Sequence, residues 1–271
     1  MYKLIVSDLD ETLLNSDKSV TEENRAAIRA ARDLGVKFVP ASGRPYLSMN
    51  KTLKELDLFD RSGEYVISFN GGVITENRGN RLLHFEALPF ALAEEFYRRA
   101  FRYDVCIHVY TLETVYVYNF VPEEREFLKG RMEVVETRER SLDFLKGQEI
   151  LKCLYMNTNH AYLEGIARDL SDITGDTDVS YSSNRYLEFN RKGVNKGAGL
   201  RNLAALLGVD MRDTIAIGDN YNDMPMIQAA GIGAGVANTP PELQSFCDYV
   251  TTADYNHSGV AEVIRKFILN A

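Results

Sequence analysis

Four short segments, far apart in the chain, place chemically active side chains directly after apolar runs. They are Asp8-Leu9-Asp10-Glu11-Thr12-Leu13-Leu14, Ser42-Gly43-Arg44, Gly193-Val194-Asn195-Lys196-Gly197 and Gly218-Asp219-Asn220-Tyr221-Asn222-Asp223. Together they offer a hydroxyl with backbone amides, a cation, carboxylates for a metal, and a carboxylate that could attack an electrophile. Because a transferred phosphoryl group needs this combination, the set predicts phosphoryl-transfer chemistry.

The first segment supplies the candidate nucleophile, Asp8. An ordinary aspartate has a pKa of about 3.9, so it is ionised at neutral pH and needs no base to activate it. Its attack on phosphorus would give an aspartyl-phosphate. Asp10, two residues on, suits a general acid that later deprotonates the attacking water. Two acids alone are common in solvated loops, but this extended pattern after an apolar strand is far more specific.

The last segment carries two acids four residues apart, Asp219 and Asp223. With Asp8 they would bind a hard cation that prefers oxygen ligands, which predicts Mg²⁺ as the cofactor. Such a metal would offset the repulsion between an anionic nucleophile and a phosphate dianion. A polar turn that caps a helix is the structural alternative, since Asp and Asn both favour N-caps.

The remaining segments predict groups that bind phosphate. Lys196 would supply a fixed charge for Asp8 and the phosphoryl oxygens, although a single lysine at the start of a helix is more often a surface residue. Ser42 and the Gly43 amide can donate to phosphate oxygens at a helix start. Arg44 is expected to clamp the phosphate or the leaving group.

A parallel sheet would bring these segments together. Apolar strands are predicted near 2–7, 36–40 and 65–69, with amphipathic helices near 21–34 and 46–56 between them. In open parallel sheets, ligands bind outside the carboxyl ends of the strands. The residues that follow an apolar run are therefore expected to meet at one edge of the sheet: Asp8, Ser42, Asn70 and Asp219.

The pattern changes near residue 84, which predicts an inserted domain. Strands near 105–110 and 114–119 are joined by a tight link, and further strand-like and helical segments follow up to residue 190. The α/β pattern then returns, with a helix near 196–207 and a strand at 214–217. The fold class predicted is α/β: a Rossmann-like parallel-sheet core of residues 1–83 and 189–271, with an α+β cap of residues 84–188.

The composition of the chain limits the classes of partner and site that are expected. The chain has 271 residues and a formal net charge of −8, which argues against a nucleic-acid partner because such proteins usually carry a basic surface. The three cysteines have no paired spacing, so neither a disulfide framework nor a zinc site is indicated. No apolar stretch approaches 18 residues and no leader-like segment precedes the first strand, so a cytoplasmic protein with no membrane partner is expected.

The order and content of the four segments resemble the haloacid dehalogenase superfamily, in particular the Cof-type hydrolases with a large α/β (type IIB) cap. The resemblance implies that Asp8 is the nucleophile, that Asp10 is the acid/base whose backbone carbonyl also binds magnesium, and that Asp219 completes the protein ligands of the metal. It implies that Asp223 supports the metal shell or positions Lys196. It also implies that Asn70 and Asn222 lie close to the substrate phosphate.

One residue departs from the family pattern, since Glu11 stands where glycine is usual. Glycine lets a loop turn freely, whereas Glu11 restricts the backbone and adds negative charge near a phosphate site. The hypothesis is that Glu11 slows turnover or shifts the choice of substrate.

The function predicted is a magnesium-dependent phosphatase that hydrolyses small phosphorylated metabolites, with sugar phosphates as the expected class. The cap is expected to close over the leaving group and to select the substrate. A phosphomutase of the phosphomannomutase type is an alternative enzyme. A phospho-acceptor or metabolite-binding regulatory protein is an alternative from a different class. The sequence leaves the particular metabolite and the oligomeric state open.

Overall fold

The computed structural model describes residues 2–270 and divides the chain into two compact units. The first unit consists of the chain up to Phe85 and from Asn195 onwards, and the second unit is Glu86–Val194. In the described residues, no helix is both long and apolar enough to cross a lipid bilayer.

The strands and helices run through both units in chain order. The strands are β1 (Leu4–Asp8), β2 (Lys37–Ala41), β3 (Tyr65–Ser68), β4 (Val73–Glu76), β5 (Arg81–Phe85), β6 (Cys106–Thr111), β7 (Val115–Tyr118), β8 (Val135–Thr137), β9 (Ile150–Met156), β10 (Thr177–Ser182), β11 (Tyr186–Arg191), β12 (Thr214–Gly218), β13 (Ile232–Gly235) and β14 (Tyr249–Val250). The α-helices are α1 (Glu22–Asp33), α2 (Asn50–Glu55), α3 (Phe90–Ala100), α4 (Pro122–Leu128), α5 (His160–Asp169), α6 (Lys196–Leu207), α7 (Met224–Ala229), α8 (Pro241–Gln244) and α9 (Gly259–Ile264).

The first unit is built on an eight-stranded sheet with the order β14-β13-β12-β1-β2-β3-β4-β5. The six strands from β14 to β3 are parallel, as predicted. The sequence predicts neither β4 nor β5, which extend the sheet with antiparallel pairing at its edge. β4 follows β3 directly through the turn at Asn70-Gly71-Gly72, and β5 is largely exposed, so neither has the buried apolar run that indicates the other strands.

Side chains of the central strand pack alternately on the two faces of this sheet. Ile5 belongs to an apolar cluster with residues of α1 and α9, whereas Leu4 and Val6 belong to a cluster with residues of α6 and α7. This period of two is the pattern of a strand that is buried on both faces. The polar residues at the end of β1 are therefore held by a rigid, fully packed element.

Helix α1 begins and ends as the sequence predicts. The Thr21 side chain accepts from the Asn24 backbone N–H at 3.2 Å, which satisfies one of the unpaired donors of the first turn. Gly35, just after the helix, adopts φ = 84°, the left-handed conformation that glycine tolerates best.

The second unit is built on a six-stranded sheet with the order β10-β11-β9-β6-β7-β8. All adjacent pairs are antiparallel except β7 and β8, which are parallel. The predicted hairpin of β6 and β7 is present, and Ser183 and Asn184 turn the chain between β10 and β11 with positive φ values. One face of the sheet packs with α3 and α5 into an apolar cluster that includes Phe96, Tyr155 and Phe189.

The unit boundaries differ slightly from the predicted domain limits at 83/84 and 188/189. Residues up to Phe85 complete β5, which belongs to the sheet of the first unit. Residues up to Arg191 complete β11, which pairs with β10 through Thr177 and Arg191 in the second unit. The predicted limits would therefore cut both strands.

Candidate functional site

The parallel sheet brings three of the predicted segments to one edge. Asp8 is the last residue of β1 and lies opposite Ala41 of β2, which is followed by Ser42. On the other side, β12 pairs in parallel with β1 and ends at Gly218, directly before Asp219. The segments are therefore neighbours because β1 lies between β2 and β12.

Lys196, the first residue of α6, joins the carboxylates at this edge. Its Nζ donates to Oδ1 of Asp8 and to Oδ1 of Asp223, the latter at 2.5 Å. Lys196 is only 1% exposed, and Asp8 and Asp223 are also buried. The structure thus places Lys196 in a buried ion-pair network rather than on the surface, where a single lysine is usually found.

Asp223 is held by its own backbone turn as well as by Lys196. Its Oδ2 accepts from the backbone N–H groups of Asp219 and Asn220 at 3.0 Å each, and the Asn220 side chain caps the same turn. A Cβ at Gly218 would lie 2.4 Å from the Asp223 Cβ, so only glycine allows this approach. Both oxygens of Asp223 are therefore engaged by protein donors.

Asp219 lies beside these groups and has a different partner. The Thr12 hydroxyl donates to its Oδ1 at 2.5 Å, and both side chains are buried. Thr12 belongs to the first sequence segment, but the sequence analysis gave it no role. Its contact links the loop after β1 to the loop after β12.

The three carboxylates form an acidic cluster. Ligand oxygens of Asp8, Asp219 and Asp223 all lie within 4.8 Å of one another, and all three residues are buried. A set of carboxylate oxygens at this spacing suits a hard divalent cation. Because both oxygens of Asp223 already accept hydrogen bonds, Asp8 and Asp219 have more capacity to bind such an ion.

Burial and mutual repulsion raise the acid pKa values in this cluster. Burial raises the pKa of the Asp8 carboxyl to about 7, against the charge of Lys196, and Asp223 adds to the rise. Burial, together with the charges of Asp223 and Asp8, raises the pKa of Asp219 well above its usual value. The sequence predicts an ordinary aspartate at position 8. The pKa in the structure differs first because Asp8 is buried, and then because a second carboxylate, Asp223, shares Lys196 with it.

Asp10 is surrounded by two cations. Arg44 donates to both of its oxygens, from Nε to Oδ2 at 2.8 Å and from Nη2 to Oδ1, and Lys18 Nζ lies 3.2 Å from Oδ1. Burial works against ionisation of Asp10, but the charges of Arg44 and Lys18 outweigh it and lower the pKa of this carboxyl. Asp10 is therefore held as an anion in this arrangement.

Glu11 adopts the backbone conformation for which glycine is suited. Its φ is 60°, in the left-handed region, and its side chain is exposed. The Asn238 side chain donates to the Glu11 carbonyl oxygen at 2.9 Å, which helps to fix this conformation. The restricted backbone that the sequence analysis expected at this position is thus a left-handed turn.

Two of the predicted phosphate-binding segments, Ser42-Gly43-Arg44 and the turn at Asn70, lie next to each other. The Ser42 hydroxyl accepts from the Arg44 N–H at 3.2 Å, and the Ser42 carbonyl accepts from the Asn70 N–H at 3.0 Å. A Cβ at Gly43 would lie 2.9 Å from Oδ1 of Asn70, so a side chain there would displace the amide. Asn222 lies in the turn before α7 and is half-buried.

Comparisons with known proteins identify the family. The model of the haloacid dehalogenase-like hydrolases matches residues 5–264. The chain belongs to this family. It is 31% identical to the presumed phosphatase YxeH of Bacillus subtilis (strain 168) over 99% of both chains. It is 28% identical to 5-amino-6-(5-phospho-D-ribitylamino)uracil phosphatase YcsE of the same organism over 98% of this chain and 96% of that protein. A solved haloacid dehalogenase-like hydrolase from Bacteroides thetaiotaomicron superposes with a TM-score of 0.85 at 30% identity, covering 99% and 100% of the two chains.

This haloacid dehalogenase-like hydrolase is thus an enzyme, a phosphoric monoester hydrolase. The resemblance of the four segments to the haloacid dehalogenase superfamily is confirmed at the level of the family, and the α/β fold with a second sheet is confirmed with it.

Two site residues had no predicted role, Thr12 and Lys18. The Thr12 hydroxyl was visible inside the first segment, but nothing in the sequence pointed from Lys18 back to Asp10.

Proposed function

We propose that the protein is a magnesium-dependent phosphatase that hydrolyses small phosphorylated metabolites through an aspartyl-phosphate on Asp8. One observation carries the proposal: Asp8 is a buried carboxylate at the end of β1, paired with Lys196 and placed beside two further acids. A buried nucleophile beside a fixed cation and two more acids is typical of a catalytic site, because packing alone does not require buried charges.

The residues fit a magnesium ion. Asp8 and Asp219 would hold it through carboxylate oxygens, and the Asp10 backbone carbonyl would be a further ligand. Asp223 supports the site mainly by holding Lys196, because both of its oxygens already accept from protein donors. When bound, the metal supplies positive charge that keeps Asp8 ionised and offsets its repulsion of the phosphate.

The first step transfers the phosphoryl group to Asp8. Its carboxylate attacks phosphorus, and the bond to the ester oxygen breaks. Asp10 takes up a proton from solvent when Arg44 turns from it to the substrate phosphate, and it gives that proton to the leaving alcohol. In the second step Asp10 takes a proton from a water molecule that attacks the same phosphorus. The bond between phosphorus and the Asp8 oxygen breaks, which releases inorganic phosphate and restores both carboxyl groups.

The neighbouring polar groups would bind the phosphoryl oxygens. Lys196 is fixed beside the attacking oxygen by its second bond to Asp223. Ser42 and the Gly43 amide would donate to phosphate, with Arg44 as the cation. The close approach of Gly43 to Asn70 supports a shared site for the two segments. Asn222 is proposed to contact the same phosphate from the turn after β12.

We propose small phosphorylated metabolites, with sugar phosphates as the first class to test. The similarity to YcsE supports this class, since that relative is named for a phosphorylated ribityl compound and matches nearly the whole chain. The similarity to the phosphoglycolate phosphatase of Methanothermobacter thermautotrophicus, at 27% identity, supports it as well. A cytoplasmic location stays a prediction. In the described residues, no contact favours the phosphomutase or the phospho-acceptor alternative.

Phosphate release from a panel of phosphorylated metabolites tests the proposal. Wild type and Asp8→Asn are compared with and without added Mg²⁺. We expect turnover that requires Mg²⁺ and vanishes in the variant, and the ranking of substrates begins to identify the metabolite. Turnover that survives in Asp8→Asn would overturn the assignment of the nucleophile. An inactive wild type, generic esters included, would contradict the proposed function.

A further inference from the structure

The loop after β1 contains a strained turn at Glu11. Glu11 adopts φ = 60°, in the left-handed region that a residue with a Cβ adopts only at an energetic cost. The Leu9 carbonyl accepts from the backbone N–H groups of Thr12, Leu13 and Leu14 at 3.4, 3.1 and 2.8 Å, so the turn closes around Glu11. A residue keeps such a conformation only where its surroundings determine it, and such residues cluster at functional sites.

Asn238 holds this turn from outside the loop. Its side-chain Nδ2 donates to the Glu11 carbonyl at 2.9 Å, and its Oδ1 accepts from the Tyr255 backbone N–H at 3.2 Å. Because one partner is an acceptor and the other is a donor, these contacts fix which way the amide faces. The Asn238 amide therefore cannot turn away from Glu11 without losing both hydrogen bonds.

The turn that carries Asn238 is anchored to the end of β12. The Val236 backbone N–H and the Thr239 hydroxyl both donate to the Gly218 carbonyl, at 3.2 and 3.4 Å. Val236 and Thr239 are buried, so the chain is fixed on both sides of Asn238. Asp219 follows Gly218 directly, and Asn238 is thus anchored to the strand end that carries a site carboxylate.

Two contacts from this strand end fix consecutive residues of the loop after β1. Asn238 holds the Glu11 carbonyl, and Asp219 accepts from the Thr12 hydroxyl at 2.5 Å. The Glu11 carbonyl and the Thr12 N–H belong to one planar peptide, so the rotation of that plane decides where the Thr12 side chain lies. Relaxation of Glu11 to a negative φ would rotate the plane and carry the Thr12 hydroxyl away from its acceptor.

We infer that Asn238 is a positioning residue: by fixing the Glu11 carbonyl, it keeps the Thr12 hydroxyl on its acceptor. The effect on catalysis rests on the proposed function, in which Asp219 is a ligand of the metal. Asn238 itself forms and breaks no bond in the reaction and acts through the loop alone. Glycine at position 11 would adopt the same φ without strain, so the bond from Asn238 matters less there. The inference therefore predicts that positions 238 and 11 are coupled.

Five variants isolate the amide donor of Asn238. Asn238→Asp keeps the size and the acceptor for Tyr255 but loses the donor, and Asn238→Ala removes both. Glu11→Gly, alone and combined with Asn238→Ala, completes a double-mutant cycle that measures the coupling. Asn256→Ala is the matched control, because Asn256 accepts from the Ser16 backbone N–H and hydroxyl of the same loop at 2.9 and 3.0 Å, farther along from Glu11.

The first readout is kcat/KM for 4-nitrophenyl phosphate at saturating Mg²⁺. A neutral hydrogen bond changes a conformational equilibrium by about 2- to 10-fold, so we expect Asn238→Ala and Asn238→Asp to lose about 3- to 10-fold. In the Glu11→Gly background, Asn238→Ala should lose less than about 2-fold, and Asn256→Ala should stay near wild type. Equal losses in the two backgrounds, an equal loss in Asn256→Ala, or no loss in Asn238→Ala would overturn the inference.

Hydrogen exchange of the backbone amides in segment 9–14 is a second readout, which needs neither substrate nor metal. Asn238→Ala should speed exchange in this segment by about 3- to 10-fold, whereas Asn256→Ala should leave it near the wild-type rate. Unchanged exchange in Asn238→Ala would overturn the inference and leave the Asp8 mechanism intact. A wild type that hydrolyses no phosphate ester would overturn the proposed function, and the exchange rates would then decide the inference alone.

Discussion

Among the residues that the structure describes, each unit buries one lysine against carboxylates, and the two sites differ in charge balance. In the first unit, Lys196 is shared by Asp8 and Asp223, with Asp219 beside them. In the second unit, Lys152 donates to Glu188 at 2.5 Å and is 2% exposed. The Lys152 ammonium also lies 4.7 Å from the centre of the Tyr110 ring.

The balance of charge distinguishes a structural buried ion pair from a functional one. Lys152 and Glu188 neutralise each other, and the Ser182 hydroxyl donates to the second oxygen of Glu188, so this pair is complete. The Lys196 site holds three carboxylates against one ammonium. Burying uncompensated charge is costly, so a surplus of acids indicates a ligand of opposite charge, whereas a balanced pair indicates a structural role.

The largest expected effects come from replacing the two buried lysines, Lys152 and Lys196, and Lys152 is expected to affect stability. Lys152→Met leaves Glu188 buried without its cation, and we expect a loss of about 3–5 kcal/mol in the free energy of unfolding. Lys152→Met with Glu188→Leu should recover most of it, because a buried pair can be replaced by apolar residues. Urea unfolding measures both. A double variant as unstable as the single one would show that Lys152 does more than balance Glu188.

Lys196→Met should act on turnover instead. Without the ammonium beside Asp8, we expect kcat to fall by about 10²- to 10³-fold, since a fixed charge at the reacting oxygens is lost. Lys152→Met, where it is folded at the assay temperature, provides the matched control and should retain far more activity. Equal kcat values for the two variants would remove the functional distinction between the sites.

A smaller effect is expected from Asp219→Asn. Because this change removes one surplus negative charge and keeps the shape, the variant should melt at a higher temperature than wild type in the absence of metal. Saturating Mg²⁺, at about 100 times its dissociation constant, should stabilise wild type by about 2.7 kcal/mol and the variant by much less. Thermal melts with and without Mg²⁺ measure this, with Asp213→Asn as the control, because Asp213 is half-buried and pairs with Lys3 instead of with the site residues. Identical Mg²⁺ shifts in wild type and Asp219→Asn would contradict the metal assignment.

His108 should lower the stability of the protein as the pH falls. This ring is fully buried, and its nitrogens have no hydrogen-bond partner in the described part of the chain, although Nε2 lies 3.4 Å from Glu124. Burial, with the charge of Lys152, lowers the pKa of His108 to about 3. Between pH 6.5 and 3 the unfolded chain binds a proton that the folded protein does not, so stability falls as the pH falls.

The variant His108→Phe tests this sign. Wild type should lose about 3 kcal/mol between pH 6.5 and pH 4 relative to the variant, at about 1.4 kcal/mol per pH unit. Urea unfolding of both proteins over this range gives the difference and cancels the contributions of Asp8, Asp219 and Glu124, which are present in both. Parallel pH profiles would show that His108 titrates normally in the folded state.

The smallest expected effect is that of Glu11→Gly. Relief of the left-handed φ of Glu11 should stabilise the protein by up to about 1 kcal/mol. If Glu11 slows turnover or shifts substrate choice, kcat/KM should also change across the substrate panel. An unchanged kcat/KM for every substrate would end that hypothesis and leave a purely conformational role.

The sequence predicted the parts of this architecture that depend on strand ends. Asp8 and Asp219 follow long apolar runs, and parallel pairing of β1 with β12 places them together without further information. The contacts that the sequence could not predict depend on loop conformation. Lys18 reaches Asp10 because of one left-handed residue, and both oxygens of Asp223 are engaged because of a three-residue turn.

The partners of buried charges also cannot be predicted from sequence patterns. Lys152 and Glu188 come together through pairing of β9 with β11, where Lys152 lies opposite Asn190 and Glu188 lies two residues from Asn190 on the same face of the sheet. A lysine in an apolar strand has no local signal for its partner 36 residues away. The same limit explains the raised pKa of Asp8, which comes first from burial and then from the distant Asp223.

Trapping the phosphorylated protein identifies the residue that carries the phosphoryl group. Protein mixed with a labelled phosphate ester that it hydrolyses is quenched in acid within the first turnovers, digested and analysed by mass spectrometry, with and without Mg²⁺. We predict an alkali-labile phosphoryl group on Asp8 that forms only with Mg²⁺ and is absent from Asp8→Asn. A phosphoryl group on another residue, or one that Asp8→Asn still acquires, would contradict it.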